Sequence, residues 1–238
     1  MLAEIMRKIS EAAKPGIPTK NLDKLARELF RFHKVKPAFL NYGGFPASIC
    51  VSVNDEVVHG VPSERKLKEG DILSLDVGVL YKGFFTDAAI TLPVLGRLTY
   101  KDWVRTNQKS AQLIEVTKAA LNAGIREAKI GNRLGKISNA IQKVVEKEGF
   151  GVIREMVGHG VGRKLHEEPQ IPNYGSSDEG PLLEEGMTLA IEPMVSAGDW
   201  HLVRDGLTYK TKDGSYAAHF EHTIVITKGG PVILTEVE

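Results

Sequence analysis

Two stretches of this chain, about a hundred residues apart, carry the same order of chemically competent side chains. The first runs Val57-Val58-His59-Gly60-Val61-Pro62, then Gly70 with Asp76 six residues later, then Thr86-Asp87-Ala88-Ala89. The second runs Val157-Gly158-His159-Gly160-Val161-Gly162, then Gly186 with Glu192 six residues later, then Phe220-Glu221-His222. Each copy offers a histidine, an acid at a fixed distance from a glycine, and a second acid entering an apolar run. A buried carboxylate without a partner is costly or takes up a proton. Four of them, gathered by two like halves, need cations. The pattern predicts a site for two divalent metal ions. Oxygen-rich donors with an imidazole suit Mn²⁺, Fe²⁺, Co²⁺ or Zn²⁺ better than a structural zinc, which prefers sulfur and nitrogen. Bridging carboxylates hold such ions about 3.5–4 Å apart in hydrolytic two-metal enzymes.

A lone acid in a strand is ordinarily a surface group, and a lone histidine ordinarily a satisfied structural residue; the repeated frame argues against both here. His159 lies between two glycines, where backbone can approach something bound. His166 follows seven residues later, and His59 occupies the matching frame of the first half. All three are expected to line one cavity. His219 and His222, on either side of Glu221, are read as outer partners of the ligands. His33 and His201 receive no role.

Positioning these groups requires a regular scaffold. Leu2, Ile5, Met6 and Ile9 recur at helical spacing until Pro15-Gly16, and a second helix is read from Thr19, as N-cap, through Phe32. An aromatic, glycine-rich ordered loop fills 35–47. Strand signals follow at 49–53, 71–80 and 84–92, with Lys82-Gly83 as a hairpin turn that sets Asp76 and Asp87 roughly opposite each other. Helical patterns at 99–122 and 132–148 precede strand signals at 151–156, 187–195, 201–209, 217–227 and 231–236. The order is helices then sheet, twice, which favours an α+β layer architecture over a βαβ series. One domain over 1–238 is expected, with similar halves at about 1–98 and 99–238. With 42% apolar and 26% charged residues and a net charge of +1, there is no global field to recruit nucleic acid or an acidic membrane. The single cysteine, Cys50, excludes an internal disulfide and a thiolate zinc cage. No run is long enough to cross a membrane, and the amino-terminal segment lacks a signal-peptide core, so a cytoplasmic protein is expected.

Nearly the whole chain resembles the type I methionine aminopeptidases, metalloenzymes of the pita-bread fold that remove the initiator methionine. The resemblance rests on Ser52-Val53-Asn54 through His59-Gly60-Val61-Pro62, Leu75-Asp76-Val77-Gly78, Thr86-Asp87-Ala88, Gly158-His159-Gly160-Val161-Gly162, His166-Glu167-Glu168-Pro169, Gly186 through Glu192-Pro193-Met194, and Phe220-Glu221-His222-Thr223. It implies five metal ligands: Asp76 on one ion, Asp87 and Glu221 bridging both, His159 and Glu192 completing the other. It implies catalytic roles for Glu192 as proton carrier, His166 at the peptide carbonyl and His59 at the nitrogen of the cut bond. It also implies a methionine pocket of Phe39, Tyr42, Phe45 and Cys50, with Leu165 and Leu207 standing where family members commonly carry phenylalanine and tryptophan. The expected substrates are N-terminal methionines of peptides and nascent proteins with a small second residue; association with ribosomes and a monomeric state are further expectations. Two rival readings remain. An Xaa-Pro peptidase of the same fold would share the five ligands, but such proteins generally carry a large amino-terminal domain. A metal-free binding module of the same fold would have lost ligands, and here all five are present.

Overall fold

The computed structural model describes residues 1–236. It opens with two amphipathic helices, α1 (Leu2–Ala12) and α2 (Thr19–Phe32). The apolar stripe of α1, Leu2, Ile5, Met6 and Ile9, is buried, as is that of α2, Leu22, Ala26, Leu29 and Phe30. Thr19 is the first helical residue and not the cap, which is Pro18. Its hydroxyl is engaged elsewhere, donating to the Ser63 carbonyl at 3.2 Å and accepting the Ser63 N–H at 2.8 Å. The helix start is thereby tied to the loop that follows His59.

The chain then forms β1 (Lys36–Pro37), a 3₁₀ turn at Tyr42–Gly44, β2 (Cys50–Val53), β3 (Glu56–Val58) and the long hairpin β4 (Ile72–Tyr81) with β5 (Phe84–Pro93). Lys82 and Gly83 both have positive φ, 49° and 85°, the two-residue turn whose twist matches a hairpin. Along β4, Leu73, Leu75, Val77 and Val79 face the helices and are buried with α1 and α2 in one core. Period-two alternation sends Ser74, Asp76 and Gly78 to the opposite face.

The second half starts with α3 (Tyr100–Thr106), α4 (Gln108–Glu127) and α5 (Gly135–Lys147). The helical pattern read over 99–122 is thus two helices that extend to Glu127. They break at Asn107, whose φ of −127° leaves the helical region and whose amide side chain donates to the Trp103 carbonyl at 3.1 Å. After the helices come β6 (Gly151–Val152), β7 (Gly158–Gly160), β8 (Glu167–Ile171), β9 (Thr188–Ile191), β10 (Met194–Ser196), β11 (Leu202–Asp205), β12 (Thr208–Thr211), β13 (Ala217–His219), β14 (Glu221–Thr227) and β15 (Gly230–Ile233). Several expected strands are divided. Glu192-Pro193 interrupts 187–195, since proline cannot donate to a ladder. Gly206, at φ 63°, turns 201–209 into the β11–β12 hairpin. The segment around His159, outside the strand signals, forms β7.

Nine strands form one antiparallel sheet in the order β1-β4-β5-β14-β9-β7-β8, with β2 on β4 and β15 on β14. Both halves contribute to it. Leu189 and Ile191 of β9 and Ile224 and Ile226 of β14 share a second core with α3, α4 and α5. Helices therefore cover one face of this sheet. Two three-stranded sheets complete the fold, β13-β10-β6, whose Val152, Val195 and Ala218 join the second core, and β11-β12-β3.

The narrowness of β7 is tested directly by Gly160. A Cβ there would lie 2.3 Å from the Glu168 backbone carbonyl, so Gly160→Ala must force β7 and β8 apart. A loss of about 1–3 kcal/mol is expected, read as a lowered Tm. An unchanged Tm would show that these strands separate at no cost.

Candidate metal centre

The register of the large sheet gathers the acids. Asp76 of β4 pairs with Ala89 of β5, and Ala89 pairs in turn with Glu221 of β14. Directly paired residues share a face, so Asp76 and Glu221 flank a small alanine that leaves the space between them open. Asp87 pairs with Gly78, two residues along β4 from Asp76. The two aspartates are therefore diagonal neighbours and not opposite each other as expected, and each faces a residue with little or no side chain. Continuing the β14–β9 register one step beyond the pair His222–Ile191 sets Glu192 against Glu221. His159 pairs with Ala190 of β9, two residues from Glu192 and on the same face. All five expected ligands thus project from one side of one sheet.

Side-chain contacts agree. Asp87, His159 and Glu221 each offer a donor atom within 4.8 Å of the others, all three residues being buried. His159 Nδ1 lies 2.9 Å from the Gly160 carbonyl. A carbonyl only accepts, so Nδ1 carries the proton and Nε2 presents a lone pair. That Nε2 is 3.6 Å from Glu192 Oε1, and His219 Nε2 is 3.2 Å from Glu192 Oε2. Asp87 is fixed from behind by Thr223, whose hydroxyl accepts its N–H and donates to its carbonyl, each at 2.8 Å. Asn173 donates to the Glu192 carbonyl at 3.0 Å.

The electrostatics are those of a cation site. Among the described residues no lysine or arginine pairs with any of the four acids, and one carboxylate oxygen each of Asp76 and Glu221 is buried without a hydrogen-bond partner. Burial, reinforced by the neighbouring carboxylates, pushes Asp76 and Glu221 well above the usual carboxylate range. Burial and the Glu192 charge raise Asp87 to about 7. Burial, opposed by His159, raises Glu192 to about 7. Divalent cation charge would satisfy these groups, and the donor set of carboxylates with one imidazole fits it.

A cavity of about 320 Å³ is lined by the five expected ligands together with His59, His166, Phe39, Tyr42, Phe45, Cys50, Leu165 and Leu207. Every expected site residue is in that wall. A wider cleft of about 650 Å³ adjoins it, sharing His59, Asp76, His159, His166 and Glu192 and continuing past Glu155, Lys164 and Gln170. Phe39, Phe45, Cys50 and Leu165 are buried in one apolar cluster against which Leu207 packs. Gly78 makes room for it, because a Cβ there would meet the Phe39 ring at 2.8 Å. Burial lowers the pKa of His59, His159 and His166, favouring neutral imidazoles. His59 holds a left-handed φ of 58°, a strained conformation for a non-glycine residue.

Three wall residues, Met156, Arg204 and Tyr209, carried no signal in the sequence, since they reach the cavity from other segments, whereas Gly43 lies in the glycine-rich loop beside Tyr42. His219 reaches Glu192 rather than its chain neighbour Glu221. His222 faces the other way and its Nδ1 lies 2.9 Å from the Thr235 hydroxyl, so it is not an outer partner of the ligands.

Comparison with known proteins agrees with this geometry. The profile of Metallopeptidase family M24 matches residues 1–228. Methionine aminopeptidase of Clostridium acetobutylicum is 46% identical over 238 residues, covering 99% of this chain and 92% of the relative. Methionine aminopeptidase 1 of Bacillus subtilis is 51% identical over 226 residues, 94% of this chain and 88% of the relative. The crystal structure of the methionine aminopeptidase from Thermotoga maritima superposes with a TM-score of 0.93 at 49% identity, over 99% of this chain and 92% of that one. Prolidase from Pyrococcus furiosus, at TM-score 0.74 and 23% identity over 62% of its length, shares the fold alone. The chain belongs to metallopeptidase family M24 and, within it, to the methionine aminopeptidases.

Asp87→Asn removes a charge from the middle of the acid cluster. Its metal content after purification is expected to fall below the wild type's. The metal-free variant is expected to melt higher than metal-free wild type, with a gap that changes with pH. A carboxyl whose pKa is raised on folding costs stability as pH climbs from its unfolded value of about 4 to its folded value of about 7. The gap should therefore widen across that window. A variant with normal metal content that melts below wild type at pH 7 would take Asp87 out of the cluster.

Proposed function

We propose that this chain is a metal-dependent exopeptidase that hydrolyses the bond after an N-terminal methionine, in peptides and nascent proteins whose second residue is small. The observation that carries the reading is the shared cavity: the five expected cation ligands, two further histidines, His59 and His166, and an apolar pocket meet in one wall. We assign two divalent ions, Co²⁺, Mn²⁺, Fe²⁺ or Zn²⁺, to Asp76, Asp87, His159, Glu192 and Glu221. The four acids, too many to be neutralised by a single cation, support two. When bound, such ions supply an acidified water and polarise the scissile carbonyl.

The remaining work falls to the chain's own groups. The pocket of Phe39, Tyr42, Phe45, Cys50, Leu165 and Leu207 receives an unbranched apolar side chain with a polarizable sulfur. His166 donates to the scissile carbonyl as it gains negative charge. His59, on its strained backbone, contacts the nitrogen of the bond being cut. Glu192 takes the proton of the attacking water and returns it to the leaving amine. The adjoining cleft gives the rest of the peptide an exit. The halves 1–98 and 99–238 act as one catalytic unit, since each supplies ligands. A monomeric enzyme acting in the cytoplasm, at ribosomes, where new chains emerge, completes the reading; the single, buried Cys50 and the absence of a helix long and apolar enough to cross a membrane among the described residues are consistent with it.

Hydrolysis of Met-Ala-Ser against Ala-Pro, across the four metals, tests the reading. Met-Ala-Ser should be cleaved and Ala-Pro spared; the reverse would make this an Xaa-Pro peptidase. His59→Ala and His166→Ala should each lower kcat by about 10²-fold or more while metal content stays at the wild-type level. Loss of an ion in either variant would make that residue a ligand.

The two leucines leave the pocket wall short of ring contacts. Discrimination by missing apolar contacts is worth about 1–3 kcal/mol, so norleucine and leucine substrates should be cleaved measurably. Leu207→Trp should raise the ratio of kcat/KM for Met-Ala-Ser over Leu-Ala-Ser. An unchanged or lower ratio would remove Leu207 from the pocket.

A further inference from the structure

His166 is the one histidine of the site whose second ring nitrogen is held by a pocket side chain. Tyr42 Oη lies 2.7 Å from His166 Nδ1, with the two rings edge-on at 5.0 Å and 71°. On its other side the His166 ring meets His159 edge-on, centroids 4.3 Å apart. Tyr42 sits at the mouth of the cavity, 46% exposed, on a tight turn. That turn is closed by Asn41 N–H to the Phe45 carbonyl at 2.8 Å and by Tyr42 N–H to the Phe39 carbonyl at 2.9 Å. Asn41, Gly43 and Gly44 take positive φ, which a short turn needs to bring the phenol back over the pocket. Buried Phe39 and Phe45 anchor both ends.

A neutral imidazole carries one proton, and the Tyr42 contact can be made either way round. The reaction chooses between them. With Nδ1 facing Tyr42, Nε2 is the polar atom left to the cavity, whose wall also contains Asp76, Asp87, Glu192 and Glu221. In the proposed reaction that nitrogen meets the scissile carbonyl, which only accepts, so a bare lone pair there would repel it whereas an N–H bonds to it. Tyr42 can serve as the donor, because its part-exposed hydroxyl finds its remaining partner in water.

We propose that Tyr42 is a positioning residue for the reaction: its hydroxyl donates to His166 Nδ1 and fixes the Nε2–H form that the substrate carbonyl requires. Resting on the methionine aminopeptidase reading, this gives one side chain two duties, closing the methionine pocket and orienting the group that acts on the carbonyl beside it. A methionine side chain that packs the pocket then steadies the donor as well.

The test is Tyr42→Phe in the metal-loaded, full-length enzyme. The ring remains, so KM for Met-Ala-Ser should change by less than about 3-fold, whereas kcat should fall by about 10-fold or more, the scale for losing an outer hydrogen bond to a catalytic group. Metal content and Tm should match wild type. In parallel, ¹⁵N spectra of histidine-labelled, zinc-loaded protein should show His166 protonated at Nε2 in wild type and a mixture of tautomers in the variant. A kcat within about 2-fold of wild type, a rise in KM alone, or a wild-type proton on Nδ1 would each overturn the proposal. The spectra decide it even if wild type fails to cleave Met-Ala-Ser, a failure that would count against the aminopeptidase reading and not against the Tyr42 contact.

Discussion

Burial of four neighbouring carboxyl groups on one sheet face, with no lysine or arginine paired to them among the described residues, governs this structure. The β4–β5 hairpin brings Asp76 and Asp87, and segments about a hundred residues later bring Glu192 and Glu221. Left alone, they hold protons far above the range where carboxylates normally lose them. Folding must therefore support the cluster with energy gained elsewhere, and the two cores beneath the sheet supply it. The helices of both halves bury their stripes against the apolar face of the strands whose other face bears the acids. Cation binding then returns what the cluster costs, which couples metal occupancy to stability.

Small residues make the geometry workable. Ala89 between Asp76 and Glu221, and Gly78 across from Asp87, leave room that any larger side chain would fill. Gly158 and Gly160 let the strand of His159 slide between its neighbours, a Cβ on either meeting a backbone carbonyl at 2.5 or 2.3 Å. The same Gly78 admits Phe39, so the ligand strand and the apolar pocket share one device. Substrate recognition and chemistry are adjacent because a single strand face serves both.

Much of this could be read from residues alone. The β4–β5 hairpin announced its turn through Lys82-Gly83, and the stripes of α1 and α2 their buried faces. The four acids stood out because each half repeats its frame, and the set of five expected ligands came with the family resemblance. What escaped was set by long-range pairing. Aspartates roughly opposite each other were expected from counting around the turn, and the ladder sets them on a diagonal. Asn107 breaks a helix whose apolar period continues through it. The strand at His159 is too short and glycine-rich to register as one, and owes its pairing to β8 and β9. Thr223 behind Asp87, and Arg204 and Tyr209 in the cavity wall, depend on contacts between segments that nothing local connects.

Calorimetric titration of metal-free protein with Mn²⁺ at pH 7, in two buffers of different ionisation enthalpy, measures the central claim in one experiment. If the cost of burying these uncompensated acids is what cations relieve, two ions should bind per chain. At least one proton should leave as they do, because Asp87 and Glu192 titrate near 7 and Asp76 and Glu221 above the ordinary range. Binding of a single ion with no proton released would contradict the account.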